Sequence, residues 1–349
     1  MTRKLARIAE ITDIHPIPDA DAIECAEVDH GWNVVVKKGE YSVGDLAIYL
    51  EIDSWVPHEL APFLSKGHEP REYNGVKGER LRTMKLRGQV SQGLLLPKTI
   101  LDEKGFWPLA GNPVGHDLTI QLGIQKWEAP IPAQLAGEVE GPFPSFIPKT
   151  DQERCQNLHD EIFTEHYDET YEVTVKLDGT SCTIYYKEGK VGVCGRNWEL
   201  KETEGNTLWK CARSQGLVEG LEKLGRNLAI QGEVIGEGIQ KNQEKIKGQK
   251  FYMFDIYDID SRRYLNAYDR QHIRFQLKDL SGESVMHVPI LDTLIKLKDL
   301  NINTMNDLLL SADGPSLHAN QREGIVFKSM DSDFTFKAIS NKWLLKNDG

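Results

Sequence analysis

The sequence predicts an α+β protein with two domains, of which the first is built mainly from β-strands and the second mixes strands with helices. Its 349 residues exceed the usual size of one domain and leave ample chain for a sizeable core. Up to about residue 130, short strand-like runs are separated by Gly and Pro, as in a small β-barrel or sandwich. From Tyr171 onward, strand-like and helix-like patterns alternate.

The N-terminal domain is predicted from short strand-like runs, and a proline-rich stretch separates it from the rest of the chain. The runs are Trp32–Val36, Leu46–Leu50 and Gln92–Leu96. The prolines that follow lie between residues 130 and 144, a composition typical of a linker. We therefore expect a first domain over residues 1–130, a linker over residues 131–146 and a second domain over residues 147–349.

The second domain is predicted to begin with the strand-like run Tyr171–Val175. A tight Asp178-Gly179 turn follows, the run Cys182–Tyr186 returns, and the hairpin turns again at Glu188-Gly189 before ending near residue 195. The remaining expected elements are a helix over 202–224, strands over 228–233 and 251–257, helices over 269–280 and 294–310, and strands over 324–328 and 334–339.

The composition argues against several classes of protein. No run of 18 or more apolar residues occurs and the N-terminus has no apolar segment, so we expect neither a membrane span nor a signal peptide. The five cysteines are scattered without a C-x-x-C pair, which argues against a disulfide framework or a zinc site and favours a cytoplasmic protein. The net charge of −11 argues against a generally basic surface, although phosphate contacts need only a local basic patch.

The hexapeptide Lys176-Leu177-Asp178-Gly179-Thr180-Ser181 places a lysine amine at a strand end beside a carboxylate, as an enzyme that forms a covalent lysyl-nucleotide requires. It resembles motif I of the covalent nucleotidyltransferase superfamily, which contains DNA ligases, RNA ligases and mRNA capping enzymes. Alone, such a string also arises by chance in hairpins, but five motifs in family order over about 160 residues form a specific signal. The stretches that resemble the later motifs are Gln231–Gly236 (motif III), Phe251–Ile256 (motif IIIa), Arg322–Lys328 (motif IV) and Phe334–Lys337 (motif V).

The resemblance implies a role for each candidate site residue. Lys176 would be the nucleophile that takes AMP from ATP. Seven residues would bind the nucleotide: Arg154 at the phosphates, Thr174 at the base, Arg196 at the ribose, Glu233 at the ribose or a metal-bound water, Phe254 stacked on the purine, and Lys328 and Lys337 at the transferring phosphate. The metal, Mg²⁺ or Mn²⁺, would be held by Asp178, Glu233 and Glu323, in part through water. Purely structural alternatives remain open for Arg154, Asp178, Phe254, Glu323 and Lys337.

The charge of Lys176 matters, because a phosphoramidate forms only from a neutral amine. At an ordinary pKa near 10.4, only about one molecule in 2,500 is neutral at pH 7. We therefore expect nearby cations, namely the metal with Lys328 and Lys337, to lower the pKa of Lys176. Motif V departs from many relatives, which carry K-x-K where this chain has Thr335 and Lys337. Lys328 or Lys342 would supply the second charge, or one lysine suffices.

The order of the domains indicates which members of the superfamily the chain resembles. DNA ligases and capping enzymes usually carry an OB fold after the catalytic domain, whereas here the additional domain precedes it. This order, with the stretch Ile147–Asn157 ahead of motif I, resembles the type 5 RNA ligases. It implies an N-terminal OB-like β-barrel followed by an ATP-grasp-like nucleotidyltransferase (ligase adenylation) domain with antiparallel sheets and flanking helices.

The function implied by this resemblance is that of an ATP-dependent RNA ligase. It would seal 5′-phosphate and 3′-hydroxyl ends through a lysyl-AMP intermediate and an adenylylated RNA 5′ end. A DNA ligase or general nick-sealing enzyme is the first alternative, and a non-catalytic OB protein that binds nucleic acid is the more remote one. The partner would be RNA, as a nicked duplex with a ribose at its 3′-hydroxyl end. We expect a monomer that does not bind membranes.

Two basic groups fit an RNA partner. Residues 77–87 carry five basic side chains and one acid, Glu79, a local charge of 5 − 1 = +4. Arg80 and Arg82 alternate, so one strand would direct both to a basic face of the OB-like domain, although charges on an edge strand also prevent aggregation. The cations of this face are Arg80, Arg82, Lys85 and Arg87, with Lys77 at its edge. The second group is Lys241, Lys245, Lys247 and Lys250, expected on a loop near the catalytic cleft, where it touches RNA or faces solvent.

Overall fold

The chain forms two compact units in a computed structural model, which describes residues 3–103, 113–128 and 137–347. One unit contains Met1–Pro130 with Cys155–Asp160 and Leu344–Gly349, and the other contains Ile131–Arg154 with Glu161–Trp343. The segment 155–160 therefore belongs with the N-terminal unit, which the sequence did not indicate. The predicted domain boundaries stay predictions, and residues 131–136 of the predicted linker lie outside the described residues.

The N-terminal unit is built from short antiparallel strands. Its strands and α-helix within the described residues are β1 (Ala6–Pro16), β2 (Ile23–Val28), β3 (Trp32–Lys37), β4 (Leu46–Leu50), β5 (Ser54–Pro57), β6 (Arg71–Tyr73), β7 (Val76–Arg80), β8 (Met84–Leu86), β9 (Gln89–Ser91), β10 (Leu94–Leu96), α1 (Thr99–Glu103) and β11 (Gln125–Lys126). They pair in the orders β10-β4-β1-β2-β3, β11-β5-β7-β6 and β8-β9. Alternating buried residues of these strands, such as Ile8, Ile48 and Val34, form two apolar clusters.

The predicted strand carrying both Arg80 and Arg82 does not form. β7 ends at Arg80, and the separate hairpin β8-β9 begins at Met84. Arg80 pairs instead with Asp53, with 2.6 Å between Nη2 and Oδ1, and its guanidinium lies 4.0 Å from the centre of the Trp127 ring. These contacts hold Arg80 half-buried. The other cations of the group, Arg82, Lys85 and Arg87, are exposed.

The second unit contains two sheets with helices, which confirms the α+β class. Its described strands are β12 (Val139–Pro142), β13 (Glu153–Arg154), β14 (Tyr171–Lys176), β15 (Thr180–Lys187), β16 (Lys190–Cys194), β17 (Trp198–Leu200), β18 (Leu228–Gly236), β19 (Gln249–Asp258), β20 (Arg263–Tyr264), β21 (Ile290–Ile295), β22 (Gly324–Ser329) and β23 (Thr335–Ile339). Its helices are α2 (Thr207–Ser214), α3 (Leu217–Leu224), α4 (Ala267–Ser281) and α5 (Met305–Ser311), and α6 (Asn341–Asn347) ends the described chain.

Seven strands form one sheet in the order β12-β17-β16-β15-β18-β19-β20, and five form another in the order β13-β23-β22-β14-β21, counted over the described residues. The largest apolar cluster joins the first sheet to α2, α3 and α4, with Trp209, Leu221, Ile230 and Leu277 among its buried members. Between the described strands of these two sheets, the pairing is antiparallel except between β13 and β23. In the part of the chain that the structure describes, no helix is long and apolar enough to cross a membrane.

The prediction of a hairpin over residues 171–195 is wrong for its first half, because β14 and β15 do not pair with each other. β14 pairs with β21 and β22 in the five-stranded sheet, whereas β15 pairs with β16 and β18 in the seven-stranded sheet. The chain therefore passes from one sheet to the other at residues 177–179. The second turn, at Glu188-Gly189, does connect a hairpin, and both residues have positive φ there.

Two predicted helices are also corrected. The helix expected over residues 202–224 is two helices, because Gly216 adopts φ +67 between α2 and α3 and a Cβ there would lie 2.7 Å from Ser281 Cβ. In place of the helix expected over 294–310, the structure has the end of β21, a short 3-10 helix at Leu297–Leu300 and α5, which begins at Met305. β21 continues to Ile295, and Thr304 caps α5 by accepting a hydrogen bond from the Asp307 N–H.

Candidate active site

Lys176 is the last residue of β14, at the point where the chain crosses between the two sheets. The crossing is tight: a Cβ on Gly179 would lie 2.4 Å from Val234 O and 2.6 Å from Ile235 Cγ2. Only glycine allows this approach of the turn to β18. Its effect is to hold the end of β14 against the strand that carries Glu233.

The strand register places several predicted site residues on one face of the five-stranded sheet. Thr174 lies opposite Val326, Val326 opposite Lys337, and Lys337 beside Arg154 on the parallel strand β13. Paired residues share a face of a sheet, as do residues two apart along a strand. Lys176 shares this face because it lies two residues beyond Thr174. Lys328 shares it because it lies opposite Glu172, which is two residues before Thr174. Five predicted residues thus face the same side: Arg154, Thr174, Lys176, Lys328 and Lys337.

Three carboxylates gather around the Lys176 amine. Glu323 precedes β22, whose Gly324 pairs with Lys176, and its Oε2 lies 2.7 Å from Lys176 Nζ. Glu233 lies opposite Ser181 on β18, and Asp178 is in the turn. Burial raises the pKa of Glu233 to about 8, and repulsion by the other two carboxylates adds to this although Lys176 opposes it.

This donor set fits a hard divalent cation. Carboxylate oxygens are the ligands that Mg²⁺ and Mn²⁺ prefer, and repulsion between Asp178, Glu233 and Glu323 would be relieved by positive charge. Among the described residues, no group of three or more His, Cys, Asp or Glu lies close enough to enclose a metal by itself. Carboxylates of this kind suit an ion that keeps several water ligands, as Mg²⁺ does.

The protein alone does not give Lys176 the lowered pKa that the sequence led us to expect. Burial lowers the pKa of Lys176, but the charges of Glu323, Glu233 and Asp178 outweigh it and raise the pKa above its ordinary value. Lys328, one of the cations expected to lower that pKa together with the metal, is itself paired with Asp255. The ammonium form of Lys176 is the one that this set of side chains stabilises.

Phe254 lies in an irregular part of β19. β18 and β19 pair Gly232 with Met253 but Gln231 with Asp255, so Phe254 is the additional residue of a β-bulge. Bulges redirect a side chain out of the regular alternation of a strand. Lys328 Nζ lies 5.7 Å from the centre of the Phe254 ring and donates to the Phe254 carbonyl. A predicted base platform and a predicted phosphate ligand are therefore neighbours.

Lys328 belongs to a buried group of charges. Its Nζ lies 2.8 Å from Asp255 Oδ2, and Arg270 Nη1 lies 3.5 Å from Asp255 Oδ1. Arg270 also pairs with Glu172. Burial lowers the pKa of Lys328, and although Asp255 raises it, Arg270 lowers it further.

Lys328 and Lys342 are the two candidates for the charge that motif V lacks at Thr335. Lys328 pairs with Thr335 across β22 and β23, so it lies beside the position where many relatives carry a lysine. Lys342 instead pairs with Asp313, with 2.8 Å between Nζ and Oδ2, and is 71% exposed. Of the two candidates for the missing charge, Lys328 is the one on the shared face.

Arg154 and Arg196 have different surroundings. Arg154 is buried on β13 beside Lys337, rather than on a helix surface. Arg196 follows β16 and is half-exposed, and its Nη2 lies 3.0 Å from both carboxylate oxygens of Asp151. Its assignment to the ribose stays a prediction.

Sequence reasoning missed two features of this site. Asp255, the partner of Lys328, directly follows Phe254, and a carboxylate inside an apolar strand was a signal that could have found it. Gln240 and Gln243 contact the motif I turn from the β18–β19 loop, with Gln240 Nε2 3.3 Å from Gly179 O and Gln243 Nε2 3.4 Å from Asp178 Oδ2. No motif indicated these two residues.

A family model described as RNA ligase matches residues 169–343, and one described as an OB-fold domain matches residues 5–98. No curated protein matches.

Solved structures of the Naegleria gruberi RNA ligase are similar to this chain over 99% of its length at 52% identity. The structure with PPi has a TM-score of 0.88 and is covered over 99%. A lysine-to-alanine variant with ATP and Mn has the same TM-score and coverage. A glutamate-to-alanine variant with AMP and Mn has a TM-score of 0.89 and is also covered over 99%. The predicted order of an OB-like domain and a nucleotidyltransferase domain is thereby confirmed.

Proposed function

The chain belongs to the RNA ligase family, and from this membership we propose how its candidate site works. It is an ATP-dependent RNA ligase, with ATP as the donor of AMP and a divalent metal ion as cofactor. The proposed nucleophile is Lys176. The observation that carries this assignment is the position of its Nζ, 2.7 Å from Glu323 Oε2 and on the same sheet face as Arg154, Lys328 and Lys337.

The proposed reaction has three transfers. Lys176 Nζ, once neutral, attacks the α-phosphorus of ATP, so a P–N bond forms and pyrophosphate leaves. The 5′-phosphate of the RNA then attacks the same phosphorus, forming a phosphoanhydride and returning the lysine. The RNA 3′-hydroxyl finally attacks the activated 5′-phosphate, forming the phosphodiester and releasing AMP.

The side chains on the shared face have distinct proposed tasks. Arg154, Lys328 and Lys337 would offset the negative charge of the phosphates during transfer. Phe254 would stack on the purine, Thr174 would contact the base, and Arg196 would reach the ribose. Lys328 would have to exchange part of its contact with Asp255 for the nucleotide.

Asp178, Glu233 and Glu323 are the proposed metal ligands. Glu233 is also the residue proposed to contact the ribose, as its position in motif III implies. A divalent ion bound there would supply positive charge that favours neutral Lys176 and offsets charge on the α-phosphate. The carboxylates in turn orient the Lys176 amine through the Glu323 hydrogen bond.

The proposed substrate is a nicked duplex with a ribose at the 3′-hydroxyl end. The OB-like domain would contribute to its binding through the exposed cations Arg82, Lys85 and Arg87, since a basic OB surface suits a phosphate backbone. Five free cysteines support a reducing, cytoplasmic setting. The monomeric state stays a prediction, which light scattering after size-exclusion chromatography tests.

A sealing assay tests the proposal. Nicked duplexes with a 5′-phosphate would be compared with RNA or DNA on each side of the nick, in ATP and Mn²⁺. We expect efficient sealing only where the 3′-hydroxyl strand ends in ribose. Equal sealing of all-DNA nicks would contradict RNA specificity, and sealing by Lys176→Ala would contradict the assigned nucleophile.

A further inference from the structure

The loop over residues 237–248 connects two strands of the candidate site. It leaves β18, which carries Glu233, and returns as β19, which carries Phe254. Its lysines and the first lysine of β19 form a group that we call the lysine face: Lys241, Lys245, Lys247 and Lys250. The position of this face, between two site strands, is the first reason to consider it as part of the substrate surface.

The inner side of the loop is firmly packed. Ile239 and Ile246 are 9% and 7% exposed, and Ile246 belongs to the same apolar cluster as Val175 and Leu177. Glu244 is 6% exposed. Its carboxylate accepts hydrogen bonds from the backbone N–H groups of His318 at 2.6 Å and Ala319 at 3.0 Å. The loop is therefore attached both to motif I and to the segment ahead of motif IV.

The backbone of the loop is held in an unusual conformation. Gln240, Asn242 and Lys245 have φ of 45, 42 and 52 degrees, a region that non-glycine residues seldom occupy. The Asn242 side chain fixes the turn by accepting from Ile246 N at 3.1 Å and donating to Ile246 O at 3.0 Å. A conformation held by such contacts is preorganised, so a ligand would bind it with little further ordering cost.

The same loop reaches the nucleophile's turn. Gln240 donates to Gly179 O at 3.3 Å and Gln243 donates to Asp178 Oδ2 at 3.4 Å. Gly179 and Asp178 follow Lys176 by three and two residues in the chain. Whatever the outer side of the loop binds is therefore fixed in position relative to the reacting amine.

The outer side of the loop presents cations to solvent. All four lysines of the lysine face are exposed. Among the described residues, no carboxylate lies within 4.0 Å of the ammonium groups of Lys245, Lys247 and Lys250. In a chain with a net charge of −11, three exposed lysines without an acidic partner are suited to an anionic ligand.

We propose that the lysine face binds the phosphate backbone of the RNA next to the 5′ end that receives AMP. The inference rests on the proposed function and specifies where the RNA strand binds. Phosphates of a nucleic acid strand fit several cations spaced along one rigid loop, because each phosphate pairs with one ammonium group and releases a counterion. The two glutamine contacts then hold this strand in register with Lys176.

The test separates the step without RNA from the steps with RNA. The variant Lys245→Ala/Lys247→Ala/Lys250→Ala is compared with Lys201→Ala/Lys210→Ala/Lys278→Ala, which removes three exposed lysines elsewhere in the same unit. Covalent labelling by radioactive ATP is measured first without RNA. Affinity for a 5′-adenylylated nicked RNA duplex is then measured by fluorescence anisotropy in EDTA over a series of KCl concentrations.

We expect the loop variant to label as the wild type does, because that step uses no RNA. Its affinity for the nicked duplex should fall about 10- to 100-fold at 0.1 M salt, and the slope of log affinity against log salt should decrease by about 2 to 3. The control variant should keep wild-type affinity and slope. Replacement of the three loop lysines by arginine should restore both, since the charge is kept.

Three results would overturn the inference. These are an unchanged affinity and slope in the loop variant, an equal loss in the control variant, and a loss of labelling that matches the loss of binding. The proposed function fails separately, if the wild-type protein neither labels with ATP nor seals the nick.

Discussion

Lys328 and Asp255 form a buried ion pair, with 2.8 Å between Nζ and Oδ2, directly beside the ring of Phe254. Arg270 shares the Asp255 carboxylate and also pairs with Glu172, so two cations and two carboxylates balance one another. The cation proposed to meet the nucleotide is thus already neutralised within the folded protein. The charges hold the bulge of β19 against β22 before any nucleotide binds.

Replacing Asp255 by asparagine should destabilise the fold. Lys328 and Arg270 would then share only the Glu172 carboxylate inside the protein, and an uncompensated buried charge costs about 3 kcal/mol. Urea unfolding followed by circular dichroism measures the change. Asp279→Asn, an exposed aspartate on α4, is the matched control and should change stability by less than about 0.5 kcal/mol. Equal stability of the two variants would show that the buried group is not needed.

Gly179→Ala should impair both folding and lysine adenylation. The new Cβ would lie 2.4 Å from Val234 O, so the turn would have to move away from β18 and carry Lys176 with it. Overpacking of this kind costs about 1–3 kcal/mol. Labelling with radioactive ATP and thermal unfolding give the two readouts. Gly141→Ala, where nothing lies within 4 Å of the new atom, should behave as the wild type; a normal labelling rate in Gly179→Ala would refute the steric argument.

Arg322→Lys should weaken the site although it keeps the charge. The Arg322 guanidinium donates to four main-chain carbonyls, those of Ser311, Ala312, Asp313 and Pro315, at 2.8 to 3.3 Å. A lysine ammonium cannot reproduce this fork, and each buried carbonyl left unsatisfied costs about 1–3 kcal/mol.

Because Glu323 is the next residue, the labelling rate of Arg322→Lys should fall together with its stability. Arg263→Lys, at an exposed arginine of β20, is the control for the exchange of side-chain type. We thus expect the Arg322 hydrogen bonds to hold Glu323 in position. A decrease in stability with an unchanged labelling rate at low temperature would contradict this expectation.

His287 should make the protein sensitive to mild acid. Burial lowers the pKa of His287 to about 3, and Arg270, Lys328 and Arg274 lower it further although its hydrogen bond to Val288 O opposes them. Below the ordinary pKa of 6.5 the unfolded chain binds a proton that the folded protein does not bind until near pH 3. Stability is therefore lost as the pH falls between these values, by about 2 kcal/mol at pH 5.

His287→Asn lacks this titration and is the comparison for that prediction. Urea unfolding at pH 8 and pH 5 gives the loss of stability on acidification for each protein. The wild type should lose about 2 kcal/mol more than the variant. Identical losses would mean that His287 binds its proton in the folded state as readily as in the unfolded chain.

The sequence predicted the site strands well, because their apolar runs and motif residues are local features. β18, β19, β22 and β23 lie where the runs indicated, and Lys176 does end a strand. The partner of β14 could not be predicted in the same way. An Asp-Gly turn between two strand-like runs favours a hairpin, whereas β14 pairs with β22, about 150 residues later in the chain, a long-range choice that no local pattern records.

The errors at residues 80–86 and 294–310 have similar causes. Alternating Arg80 and Arg82 fit one strand, but the Asp53 and Trp127 contacts of Arg80 come from elsewhere in the unit. The apolar spacing after Leu294 fits a helix, but Leu294 itself has φ +58 within β21, a strand held by pairing with β14. The Phe254 bulge likewise depends on the register between two strands, which composition does not reveal.

The central claim is that Lys176 becomes covalently bonded to AMP, and peptide mapping by mass spectrometry tests it most directly. After incubation with ATP and Mn²⁺ without RNA, we predict one AMP on the peptide that contains Lys176, lost in mild acid as a phosphoramidate is. Lys187→Ala, at a lysine near the next turn, should be labelled as the wild type is, and Lys176→Ala should not. AMP on any other residue, or no covalent AMP in the wild-type protein, would contradict the account.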